Sequence, residues 1–325
     1  MRLAMSGTTE EDLQFAVQLG ASDVVGGNGI SRDKGCYPVD ELVALRERVE
    51  AVGLRLTVLS GPGEELTYKW KLGLEGRDEQ IDNWNRMLRN MGEAGIPVVC
   101  YFISLRSHYG NYGLRTDRAA PGRGGAALTS FDYDAVQGET GDYWYPPVPE
   151  AVDTSEEKIW ENAAYFLEAT VPVAEEAGVR MALHADDPPI SPIGRVARVL
   201  RSHDAIRRML DIVPSKAHGL TLCTGTFGAM RENVIDAIRE FGGQGRIHHI
   251  HFRSVDGPVP NFSETFIGEG DLDMLEAMKA FYESGVEAPL VEDHVPVLGD
   301  GAEKQYRSRA YAFGYIRALM KAAQS

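Results

Sequence analysis

The chain has 325 residues, 43% apolar and 25% charged, enough to bury a large core without a disulfide staple. Its net charge of −15 argues against nucleic acid or an anionic membrane as partner, and any anionic substrate must find local positive charge from a metal or a few arginines. The three cysteines, Cys36, Cys100 and Cys223, form no disulfide framework, and neither a signal peptide nor a run of ~18 apolar residues is visible, so a cytoplasmic protein is expected.

In chain order, short β-rich runs alternate with longer amphipathic ones. LAMSG at residue 3 and DVVGG at 23 read as strands, and VDELVALRERVEAVG from 39 reads as a helix. RLTVLSG at 55, the helical RDEQIDNWNRMLRNMGEAG from 77 and PVVCYFI at 97 repeat the pattern. The helix EEKIWENAAYFLEATVPVAEEAG then leads into RMALHAD at 180, followed by GLTLCTG at 219, RIHHIHFRS at 246 and PLVEDHV at 289. Several helices end in Gly just before the next strand, as a C-cap should. Eight strands in strict alternation with helices or long loops predict parallel pairing, and the count favours a closed (β/α)₈ barrel, a TIM barrel formed by residues 1–325 as a single domain. An open doubly wound sheet is the alternative, but no GxGxxG follows the first strand.

Two stretches break the rhythm. Residues 104–150 are rich in Gly, Pro, Arg and Tyr, and GPGEELTYKWKLGLEG follows the third strand. Both would emerge at the C-terminal mouth, where barrel active sites sit. The longer one predicts a lid or a contact between subunits of a homo-oligomer.

Polar residues gather at the strand ends. The fifth strand ends in His184, the sixth carries Cys223, the seventh carries His249 and His251, and the eighth ends in Asp293 and His294. Taken singly, each has an ordinary explanation: a hydrogen-bonded core histidine, a small buried thiol, a capping carboxylate. Four metal-competent side chains at equal depth on four successive strands point instead to one divalent metal held by His184, Cys223, His251 and Asp293. The residue types alone suit Zn²⁺ or Fe²⁺ as readily as Mn²⁺ or Mg²⁺. Strand alternation places His249 on the face of His251 one layer deeper, as a partner of the site or an interior filler, and His248 toward the helices. Arg253 shares the parity of His251 and lies beyond it, where it could pair with a substrate carboxylate or make an ordinary salt bridge. His294 is a candidate general acid or base beside the metal.

At ALHADDPP, LCTGTFG, HIHFRSV, EDH, GRDEQIDNWNRMLRNMGEAGIPVVCY and GDLDMLEAMKAFYESG the chain resembles the mannonate dehydratase family, from about residue 20 to residue 295. The resemblance implies a (β/α)₈ barrel binding a divalent metal, usually Mn²⁺, that converts D-mannonate to 2-keto-3-deoxy-D-gluconate and water in hexuronate breakdown. Carried over, it places the ligands on the same four residues and the catalytic histidine on His294. The sequence departs from the family in four places. The first strand, LAMSG, lacks an Arg; FISLRSHYGNYGLRTDR stands where Asn and a Trp-Thr-Arg motif are usual; TFIGEG after FSE lacks a histidine; and EKQYRSRAYAFGY fits the catalytic-tyrosine motif poorly, leaving Tyr306 as the nearest candidate. The expected activity is dehydration of a small sugar acid, D-mannonate or another aldonic acid. A xylose-isomerase-like isomerase or epimerase and a non-catalytic sugar-acid sensor are the alternatives.

Overall fold

The computed structural model describes residues 1–27, 30–31, 35–61, 63–105, 114–136, 154–193, 196–299 and 305–324. Eight parallel strands close into a barrel: β1 (Arg2–Ser6), β2 (Asp23–Gly26), β3 (Arg55–Ser60), β4 (Val98–Phe102), β7 (Arg180–His184), β8 (His218–Cys223), β9 (Ile247–Phe252) and β12 (Pro289–Glu292). These are the eight strands expected from sequence. The barrel interior is filled by small and β-branched side chains, among them Ala4, Val25, Val58, Val98, Cys100, Ala182 and Val291. Such residues pack well across a tilted, closed sheet.

Around it lie α1 (Glu10–Leu19), α2 (Val39–Glu50), α3 (Tyr68–Leu72), α4 (Arg77–Ala94), α5 (Glu156–Glu176), α6 (His203–Asp211), α7 (Thr224–Ala229), α8 (Val234–Gly243), α9 (Met274–Glu283) and α10 (Tyr306–Ala322). Their starts follow local chemistry. Thr9 and Asp12 form a reciprocal capping box on α1, and Ser155 and Asn233 accept backbone N–H groups at the starts of α5 and α8. In α4, Ile81, Trp84, Leu88 and Met91 are buried at helical spacing, which turns one face onto the strands. The main core lies in this layer between strands and helices. No helix among the described residues is long and apolar enough to cross a membrane.

The stretch expected as a loop at 104–150 is built differently where it is described. Its residues Asp117–Pro121 and Ala127–Asp132 form β5 and β6, and the loop after β9 supplies β10 (Val255–Asp256) and β11 (Asn261–Glu264). Together they make an antiparallel sheet in the order β10-β11-β6-β5. Ala127 also bridges Val297, beyond β12, so this sheet is stitched to the segment that carries His294. A small second core beneath it includes Leu105, Leu114, Phe131, Val136, Val255 and Phe262. Residues 106–113 and 137–150 of the same stretch lie outside the described residues.

Candidate metal centre at the barrel mouth

His184 and Cys223 are the last residues of β7 and β8, and His251 is the penultimate residue of β9. Parallel pairing sets Cys223 level with His251 and His184 level with Thr221, two residues before Cys223. Their ligand atoms all lie within 4.8 Å of one another. Asp293 follows β12 directly, and its Oδ2 stands 3.5 Å from His251 Nδ1 and 3.9 Å from Cys223 Sγ. At metal–ligand bonds of roughly 2.0–2.3 Å, the ligands of a tetrahedral ion stand roughly 3.3–3.8 Å apart, close to these spacings.

The donor chemistry also fits a cation. His184 donates from Nδ1 to the Ala185 carbonyl at 2.7 Å, which leaves Nε2 with its lone pair for the cluster. His251 Nδ1 is buried and makes no hydrogen bond of good geometry among the described residues, with Asp293 Oδ2 facing it at 3.5 Å. Burial alone would push the Cys223 thiol up, yet the charge of Arg253 and contacts from His184 and His251 hold it well below the usual thiol range. The surroundings thus favour the thiolate form, and the Thr226 N–H donates to Sγ at 3.5 Å. Burial likewise opposes charge on Asp293, but His294, His251 and Arg253 keep it ionised. Thiolate and carboxylate together draw a proton onto His251, raising its pKa well above the ordinary imidazole value against the effect of burial. A divalent cation answers the same attraction.

Beneath the cluster, His249 is fully buried and donates from Nδ1 to the Pro289 carbonyl at 3.0 Å, its ring 4.8 Å from that of His251. Burial, reinforced by His251, holds it neutral. It thus occupies the interior layer under the ligands. The expectation for His248 is overturned. The β8–β9 register slips between Leu220, paired with Ile247, and Thr221, paired with His249, so His248 is the extra residue of a bulge. Its Nε2 lies 2.5 Å from where a Cβ on Gly219 would sit, close to Arg180, His218 and Arg246 at the barrel floor. Alternation cannot be counted through a bulge.

Arg253 is where the structure adds most. It is 3% exposed, and its donors are committed: Nε to Asp293 Oδ2 at 2.9 Å, Nη1 to Glu264 Oε2 at 2.7 Å, and Nη2 to Asp187 Oδ2 at 2.9 Å and Thr226 Oγ1 at 3.0 Å. These bonds tie Arg253 to Asp293 from within the site. Gly225 lies against it, for a Cβ there would come within 2.6 Å of Arg253 Nη1. His294 has a left-handed backbone, φ 50°, which frees its side chain from strand parity. Its Nδ1 stands 3.4 Å from Glu264 Oε1 and its Nε2 3.8 Å from Asp293 Oδ1. Tyr306, at the start of α10, donates to Asp12 Oδ1 at 3.1 Å and packs its ring 4.5 Å from Phe15, so α1 holds it at the same end of the barrel.

Three residues of this site went unnoticed in the sequence. Asp187, Glu264 and Arg115 all lie in quoted stretches, ADDPP, FSE and LRTDR, but nothing local marks them, since each gains its role from a partner far along the chain.

The sequence matches the D-mannonate dehydratase (UxuA) family over residues 11–145 and 148–325. It is 34% identical over 321 residues to a mannonate dehydratase of Thermotoga neapolitana, covering 88% of this chain and 86% of that protein. The crystal structure of mannonate dehydratase from Streptococcus suis serotype 2 superposes with a TM-score of 0.88 at 27% identity, over 100% of this chain and 95% of that one. A D-tagatose 3-epimerase-like protein shares the fold at TM-score 0.64 and 14% identity, over 100% of this chain and 98% of that one. With a (β/α)₈ barrel and a His–Cys–His cluster at its mouth, the chain belongs to the D-mannonate dehydratase family.

Proposed function

We propose that the protein dehydrates D-mannonate to 2-keto-3-deoxy-D-gluconate and water, using a divalent metal, Mn²⁺ first, held by His184, Cys223, His251 and Asp293. The convergence of these imidazole, thiolate and carboxylate groups at the barrel mouth carries the reading. When bound, the ion would supply Lewis-acid stabilisation of the substrate carboxylate while the proton beside it leaves. The rest falls to the chain. Breaking the C2–H bond provides the electron pair of the C2–C3 double bond as the C3 hydroxyl departs with a proton as water. The enol then takes a proton at C3 and releases the proton of its 2-hydroxyl to give the 2-keto acid.

His294 is the proposed proton carrier, its ring flanked by the Glu264 and Asp293 carboxylates and aimed by its left-handed backbone. Tyr306 is the second candidate, tied to Asp12 at the N-terminal end of α1. Arg253 acts through Asp293. Three cysteines with no disulfide among the described residues support a reducing cytoplasm as the place of action, and the family supports hexuronate breakdown as the setting. The protein is read as one barrel domain, with the sheet at its mouth as the contact between copies of a homo-oligomer.

The test is incubation of the purified protein with Mn²⁺ and a panel of aldonic acids, followed by assay for 2-keto-3-deoxy product. Product from mannonate is expected, with His294→Gln lowering kcat by roughly 10²–10⁴-fold and leaving metal content intact. Product from another acid alone would reassign the substrate. Bound metal with no product from any acid would make the barrel a sensor.

A further inference from the structure

We propose that Arg115, on the segment between β4 and β5, is a positioning residue for the metal centre. This deepens the metal-centre reading above and does not depend on the identity of the substrate.

The side chain of Arg115 is 1% exposed. Its Nε and Nη2 both donate to Glu264 Oε1, at 2.8 and 2.5 Å, Nη2 also donates to Asp187 Oδ2 at 2.9 Å, and Nη1 donates to the Leu114 carbonyl at 2.9 Å. The Phe262 ring lies 4.9 Å from the guanidinium carbon. Glu264 and Asp187 are the same two carboxylates that receive Arg253, whose third link is Asp293. Two buried guanidinium groups are thus shared among two buried carboxylates, Glu264 and Asp187, and the partly buried Asp293.

The sharing has a direction. Arg115 satisfies one oxygen of Glu264 and part of Asp187, so Arg253 can turn its Nε to Asp293. Without Arg115, a single guanidinium would face all three carboxylates, and the stronger pull of Glu264 and Asp187 would draw it from Asp293. Glu264 Oε1, released, would turn toward His294 Nδ1, 3.4 Å away. Both shifts act on groups at the reaction centre from a residue that touches neither. A lysine cannot replace it, because one ammonium lacks the planar fork that spans two carboxylates.

Arg115→Met and Arg115→Lys test the proposal, with Arg123→Ala as the control. Arg123 lies further along, between β5 and β6, and is exposed and paired with Glu269, apart from this network. Two readouts besides turnover apply: Mn²⁺ affinity by calorimetry and the visible spectrum of the Co²⁺-loaded protein, whose bands report ligand geometry. Arg115→Met is expected to weaken Mn²⁺ binding about tenfold, the lower end of what outer partners of metal ligands cost, and to shift the Co²⁺ bands. Arg115→Lys should fall between it and wild type, and Arg123→Ala should match wild type. On the substrate, kcat should fall by a larger factor than KM rises.

Unchanged affinity and spectrum in Arg115→Met would overturn the proposal, even with a lower melting temperature, since that pattern belongs to a purely structural ion pair. If Arg115→Met does not fold, Arg115→Lys decides by the same two readouts. A wild-type protein that binds Mn²⁺ without dehydrating mannonate would sink the substrate reading and leave this test standing. A wild-type protein that binds no divalent ion would sink both.

Discussion

At the scale of single residues, Cys223 shows how a buried thiol is kept ionised. Desolvation works against the thiolate, and only the nearby guanidinium of Arg253 and the imidazoles of His184 and His251 reverse the balance. A serine in its place has nearly the same shape but does not ionise in this environment. Cys223→Ser should therefore melt close to wild type while losing divalent-metal affinity by at least about a hundredfold, more than is typical for an outer partner. Metal analysis after dialysis against a chelator-buffered solution would measure this, and an unaltered stoichiometry would remove Cys223 from the ligand set. Asp293 has a related dependence. It is ionised because His294, His251 and Arg253 surround it, so its geometry is set by neighbours rather than by its own strand.

At the scale of elements, the mouth is not a bare rim. The β6 strand pairs with β11 and bridges Val297, so it spans two loops that leave the barrel after β9 and β12. These loops bear Glu264 and His294, respectively. Excising residues 117–132 would remove β5 and β6, two of the four strands of this small sheet, and open the second core. A tenfold or greater fall in kcat, or a changed oligomeric state in sedimentation, is the expected outcome, with far-ultraviolet circular dichroism still reporting the barrel. A shortened protein with wild-type turnover and assembly would show that the sheet is ornamental. The bulge between β8 and β9 belongs to this scale too: one extra residue carries His248 to the barrel floor while leaving His249 and His251 on the inner face.

For the molecule as a whole, the barrel floor sets an acid limit on stability. Burial holds His218 and His248 down to about 3, from an ordinary 6.5, with Arg246 acting in the same direction on both. His218 is engaged by the Tyr101 hydroxyl at 2.8 Å and packs in the layer between strands and helices. In the unfolded chain both imidazoles take up protons near pH 6.5, while the folded chain refuses them until about pH 3. Their contribution is therefore complete above pH 6.5 and is lost as pH falls through that window, at about 1.4 kcal/mol per pH unit for each. Between pH 7 and pH 5 the pair should cost about 4 kcal/mol of unfolding free energy. Urea melts at several pH values measure the slope, and His248→Gln should remove about half of it. A pH-independent midpoint over this range would show that these rings already titrate in the fold.

The barrel was legible in the sequence because its signals are local. Alternation in a strand, spacing along a helix and a Gly at a C-cap all follow from the sterics of near neighbours, and βα repetition then constrains the strands to run parallel. The convergence of four side chains was legible for the same reason: strand ends must meet at one rim, so His184, Cys223, His251 and Asp293 could be brought together by counting. Tertiary structure alone decided the rest. Arg115 and Glu264 lie 149 residues apart, and Arg115 and Asp187 lie 72 apart, so no window of sequence contains the pair that settles where Arg253 points. The same holds for His248, whose place depends on a one-residue slip between two strands, and for His294, whose aim depends on a backbone turn after β12. Period and register propagate along a chain, whereas the partner of a buried charge is fixed only when distant loops fold over one another and leave it no water to face.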